Sequence, residues 1–240
     1  MKHSKILLIF PLILILLLPS CVMQQGISLT NNQNGWSTTD LSVSDFFVAV
    51  LDDFLPFSDE IDPKPILEAS IEEFVGELNE VSSTSGITSL KLDDNTYFID
   101  FTFTSLTDLL RDLNNREDQS LVTMTKANAR QTLKFYLDLE NYPELARIVP
   151  FLTNENFETF GPLYNEGMNA EEYYEMIGYI LGEEGPEAIK ESVISLRFTA
   201  PNSIIEYEGG VLEGKNVIRF DIPLIDFLLL SSPITFYATW

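Results

Sequence analysis

The chain has 240 residues, 37 of them acidic and 14 basic, for a formal net charge of −23, with a single histidine and a single cysteine. A surface this acidic repels nucleic-acid phosphates, which bind basic patches, so nucleic acid is excluded as a partner. The histidine is His3 and the cysteine is Cys21. No internal disulfide can form, and the remainder of the chain lacks the residues for Cys- or His-based zinc sites, cysteine proteases and Ser-His-Asp hydrolases.

Residues 1–20 have the layout of an export signal. A cationic head, Met1 to Lys5, precedes an apolar run from Ile6 to Pro19, then Ser20 and Cys21. The run is shorter than the roughly 20 apolar residues a bilayer requires, and Pro11 would interrupt a spanning helix. Leu18-Pro19-Ser20-Cys21 resembles the lipobox of bacterial lipoproteins. That resemblance implies cleavage before Cys21 and acyl chains of the palmitate kind on its sulfur, two or more of which hold a protein firmly. It also implies an extracytoplasmic place in the bacterial envelope. Because Val22 rather than Asp follows the cysteine, the outer membrane or cell surface is expected over the inner membrane. Loss of Lys2 and Lys5 would leave 12 basic residues against 37 acids, a net charge of −25. Residues 21–41, rich in Gln, Asn, Ser and Thr, predict a flexible polar tether after the lipidated cysteine.

Residues 42–240 predict one α+β domain, an antiparallel sheet of hairpins packed against amphipathic helices. Val43, Phe46, Phe47, Val50, Leu51 and Phe54 recur at helical spacing, with Ser42 as cap and Pro56 as stop. A second helix is predicted over 65–79, with Leu67, Ile71, Phe74, Val75 and Leu78 on one face. Ile87–Leu92 and Tyr97–Phe103 around Asp93-Asp94-Asn95 read as a hairpin. Leu106–Leu113 reads as a short helix. Ser120–Thr125 and Gln131–Leu139, with a turn near Ala127-Asn128, read as a second hairpin. A helical insert follows at about 141–191. Within it Asn169 caps a helix that Glu171 and Glu172 favour and Gly182 ends. Strands return at 192–199, 204–207, 211–222 and 234–239. Ile222–Leu230 is short and carries Asp226, so no segment after Cys21 is long and apolar enough to span a membrane.

Phe101–Leu110 parallels Phe220–Leu229 after a one-residue gap, each reading as strand, short helix, strand. The stretch Leu196-Arg-Phe198-Thr-Ala-Pro201-Asn202-Ser-Ile204 through Glu208-Gly209-Gly210 and Gly214-Lys-Asn216-Val217-Ile-Arg-Phe220 resembles the hairpin of LppM-type extracytoplasmic domains. Asn202 stands where many members carry glycine. The resemblance covers the last quarter of the chain and implies an envelope-facing α+β domain, with no catalytic residue to transfer and an apolar pocket for lipid.

No catalytic residue, metal ligand or cofactor site is assigned. The adjacent acids Asp52-Asp53, Asp93-Asp94, Glu171-Glu172 and Glu183-Glu184 lack the spacing of a calcium loop and read as solvated faces and turns. Two non-enzymatic functions remain. In the first, the insert's Phe151, Phe157, Phe160, Tyr164, Met168, Tyr173, Tyr174, Met176 and Tyr179 line an apolar cleft for a lipid or other amphiphile. In the second, the protein is a structural or interaction protein of the envelope whose acidic surface binds a partner protein.

Overall fold

The computed structural model describes residues 22–53, 65–153 and 158–240. Its first element overturns the predicted tether. Strands β1 (Val22–Leu29) and β2 (Gly35–Ser42) form a hairpin paired residue for residue, from Val22↔Ser42 to Leu29↔Gly35. The hydrophilic composition conceals an alternating strand, because the inward positions of β2 are small rather than apolar. Gly35, Ser37 and Thr39 are buried while Trp36 and Asp40 are exposed. Gln25 on β1 satisfies the two buried hydroxyls. Its amide donates to Ser37 Oγ at 2.7 Å, and its carbonyl accepts from Thr39 Oγ1 at 2.7 Å. Buried polar groups that find partners cost little, so these residues are tolerated inside a sheet.

The hairpin lies in the middle of a seven-stranded sheet. Its other strands are β3 (Thr84–Lys91), β4 (Thr96–Phe103), β7 (Val193–Thr199), β9 (Val211–Leu212) and β10 (Val217–Pro223), in the order β3-β4-β2-β1-β7-β10-β9. The sheet is mostly antiparallel, as predicted, with one exception the sequence did not reveal: β1 runs parallel to β7 from Val22↔Val193 to Ser28↔Thr199. A second, four-stranded sheet has the order β5-β6-β11-β8, from Val122–Ala127, Arg130–Leu137, Ile234–Thr239 and Glu206–Glu208. The architecture is α+β, as the alternation of strand and helix periods predicts. The β5–β6 turn falls at Asn128 and Ala129, both at positive φ, as a two-residue hairpin turn requires.

Aromatic rings join the two sheets. Phe220 on β10 stacks on Phe236 of β11 with centroids 3.8 Å apart, and Phe236 stacks on Phe135 of β6 at 4.7 Å. Phe198 of β7 meets Trp240 at 5.2 Å. The chain steps from one sheet to the other between β8 and β9 at Gly209-Gly210. Gly209 has φ +83°, and a Cβ on Gly210 would lie 2.5 Å from the Phe220 ring. That pair of glycines therefore serves packing as well as turning.

Helices α1 (Asp45–Asp53), α2 (Ile66–Glu80), α3 (Leu106–Leu113), α4 (Tyr142–Ile148), α5 (Ala170–Leu181), α6 (Glu184–Glu191) and α7 (Leu224–Leu229) cover the sheets. Ser44, not Ser42, accepts from the Phe47 N–H at the start of α1, because Ser42 is still paired in β2. Pro56 lies outside the described residues. Both halves of the internal similarity run from the larger sheet through a short helix into the smaller one, β4–α3–β5 and β10–α7–β11.

Gly35 sets the tightness of the first hairpin. A Cβ there would run into the Ser28 carbonyl oxygen and come within 2.9 Å of Phe103 Cζ. Gly35→Ala is expected to destabilise the domain by about 1–3 kcal/mol, the usual cost of overpacking. Denaturant unfolding measures it, and an unchanged midpoint would contradict this placement.

Candidate interaction surface

The predicted anchor, Cys21, lies outside the described residues, and Val22 beside it is already the first residue of β1. The insert holds the surface with the most distinctive chemistry. Asn169 starts α5 with a capping box: its side chain accepts from the N–H groups of Glu171 and Glu172 at 3.0 and 3.1 Å, and Glu172 accepts from the Asn169 N–H at 3.0 Å. The inner face of α5 carries Tyr173 and Ile177, which pack with Ile189 of α6 and Leu229 of α7. The buried Tyr173 hydroxyl donates to the Phe160 carbonyl at 2.9 Å, and burial pushes its pKa far above the ordinary phenol value.

The residues expected to line a cleft are thereby distributed differently. Phe160, Met168, Tyr174 and Met176 pack, half-buried, around the cluster of Tyr173, Ile177, Ile189 and Leu229. Tyr164 and Tyr179 are exposed. Phe157 and the Phe151 side chain lie outside the described residues. Two depressions with the volume of ligand pockets have mostly polar walls and stand open. One, of about 540 Å³, is lined by Thr125, Ala127, Asn128, Arg130, Thr132, Glu206 and Thr239. The other, of about 420 Å³, is lined by Ser42 to Asp45 and Asp93 to Thr96. Small-molecule sites are mostly apolar, and neither of these is.

The exposed side chains of α5 and α6 are mostly acidic. Glu171, Glu172, Glu175, Glu183, Glu184, Glu187 and Glu191 are all exposed. Among them stand Tyr179, 93% exposed, and Ile180, 48% exposed. Lys190 answers Glu187 at 2.7 Å and lies 4.9 Å over the Tyr174 ring, and its ammonium is held above the usual lysine range chiefly by Glu187. Glu172, Glu175 and Tyr179 share one face of α5 at helical spacing. That signal was present in the sequence, but composition alone reads it as a solvated face.

The other acidic pairs have structural duties. Asp93 accepts from the Asn95 N–H at 2.9 Å, the bond that chiefly holds its carboxyl below the usual range. Asp94 and Glu68 flank Lys91 at 3.3 and 3.0 Å. Asp52 and Asp53 end α1. The Glu77 carboxyl on α2 is raised by partial burial and then by Glu73 and Glu80 on the same helix. Among the described residues no group of three or more His, Cys, Asp or Glu side chains is placed to hold a metal ion. No helix among them is long and apolar enough to cross a membrane.

No protein-family model and no curated protein matches the chain. Among solved structures, the folded domain of LppM from Mycobacterium tuberculosis, determined by NMR, superimposes with a TM-score of 0.42 and 8% identity. The match covers 91% of this chain and 88% of that one. A likeness of that size transfers neither fold nor function from one protein to the other.

Asn169→Ala removes the acceptor for two N–H groups at the start of α5 and is expected to cost about 0.5–2 kcal/mol. The melting temperature should fall, and hydrogen exchange at Glu171 and Glu172 should accelerate. Asn169→Asp should restore most of both, and no change in the alanine variant would show that the cap is not formed.

Proposed function

We propose that this chain is a lipid-anchored, extracytoplasmic, non-enzymatic protein that binds a basic partner protein in the cell envelope through the outer face of α5 and α6. The lipobox-like Leu18–Cys21 supports the anchor. The observation that carries the binding role is the exposure of Tyr179 on the same helical face as the exposed Glu171, Glu172 and Glu175. Tyrosine is among the residues that dominate interface energies, since it adds large apolar area with few rotamers to freeze. The surrounding carboxylates steer a cationic surface toward it. The reading with a lipid or other amphiphile in an apolar cleft draws on the same insert's aromatic content. Tyr173 and its half-buried neighbours, however, are committed to packing.

Cross-linking and capture from native membranes tests both parts. Cys21→Ser should leave the protein unprocessed or free of the membrane. Capture by the wild-type chain should weaken sharply at high salt, because exposed charges are screened over about 10 Å at 0.1 M salt and less at higher concentrations. Tyr179→Ala should weaken it by at least about tenfold, a loss of about 1.4 kcal/mol, without lowering the melting temperature. Capture indifferent to salt and to Tyr179 would reject the interaction reading. A free amphiphile co-purifying with the protein, detected by mass spectrometry, would favour the cleft instead.

A further inference from the structure

We infer that the domain lies directly on the bilayer through the end of the larger sheet at which β1 begins, with Leu92 and the Asp93–Asn95 turn toward the headgroups. This rests on the reading of Cys21 as the acylated residue. Adjacent Cα atoms are about 3.8 Å apart, so the lipid-bearing residue is one peptide from Val22. Val22 is held on both sides, by Ser42 of β2 and Val193 of β7. A free spacer of some 20 residues would have an end-to-end distance of about 25 Å and would leave the domain's orientation undetermined. With those residues folded into β1 and β2, no such length of chain is left.

The strand register shows what shares that end. Ser42 also faces Thr96 of β4, Tyr97 faces Lys91 of β3, and Val193 faces Pro223 of β10. At roughly 4.8 Å per strand, this row makes an edge about 24 Å wide. Leu92, just beyond β3, is 63% exposed there, and Leu90 is 49% exposed. The opposite end, with Leu29, Gly35 and the Asn31–Asn34 turn, is about 23 Å away along the eight-residue strands. Asp45, Asp93 and Asp94 stand at the near end, as does the exposed Glu191 two residues before Val193, and Lys91 is already paired with Glu68 and Asp94. Charge therefore does not draw this surface to anionic lipid, and the covalent anchor alone brings it to the membrane.

The test uses the acylated full chain in phosphatidylcholine vesicles containing a lipid with a quencher on its headgroup. Leu92→Cys and Asn32→Cys, both exposed positions, each carry a thiol-linked fluorophore. Melting temperatures confirm that both variants fold like the wild type. With Cys21 acylated by mass, Leu92-site fluorescence should be quenched several-fold more than Asn32-site fluorescence. Equal quenching, or the reverse order, in acylated protein overturns the orientation while leaving the anchor intact. An unmodified Cys21, seen by mass and by its own reaction with the fluorophore, overturns the anchor and the orientation together.

Discussion

The structure depends on the hydrogen-bond ladders that β1 makes on its two sides. To one side it pairs antiparallel with β2, and to the other it pairs parallel with β7, more than 160 residues later in the chain. β3, β4 and β2 lie on one flank of β1, and β7, β10 and β9 on the other, so β1 alone joins the two halves of the sheet. A pairing this distant in sequence is closed late and at a loop-entropy cost, and it must be rewarded by what it completes. Here it completes an edge-to-edge sheet. Ile99, Phe101 and Phe103 of β4 then share one buried core with Phe198, Ile218 and Phe220 of β7 and β10.

With Cys21 as the proposed anchor, the same strand would link that anchor to the proposed binding face. The α5–α6 hairpin enters β7 through Ser192, whose hydroxyl donates to the Ala188 carbonyl at 2.6 Å and whose own carbonyl accepts from the Leu224 N–H at 2.9 Å. α6, β7 and α7 are therefore fixed to one another at the end of the sheet where β1 starts. A partner docked on Tyr179 would be held at a set place relative to the anchor and would not swing on a leash. The aromatic stack from Phe220 through Phe236 to Phe135 extends this rigidity into the second sheet.

Much of this was legible in the residues. The helical spacing of Leu106, Leu109 and Leu113 gave α3 with its bounds, and Asn169 with Glu172 gave the start of α5, because periodicity and capping are local physics. The Asp93–Asn95 turn and the strands on either side were equally plain. Residues 22–42 were not, since Ser37, Thr39 and Gln25 satisfy one another inside the sheet and hydropathy sees only polar side chains. The parallel pairing with β7 was hidden for a different reason: no local pattern says which distant strand will lie alongside. Composition also could not distinguish aromatic residues that line a cleft from those that fill a core. Only the three-dimensional placement of Tyr173 inside and Tyr179 outside separates the two.

The fold stands or falls on whether residues 22–29 form a central strand. Amide hydrogen exchange of the folded domain measures this directly. Gly26 through Leu29 should exchange as slowly as Ile99 and Ile218, which lie in β4 and β10 of the same sheet. Exchange at the rate of an unstructured chain, with Ile99 and Ile218 still protected, would return this segment to a tether and contradict a fold centred on β1.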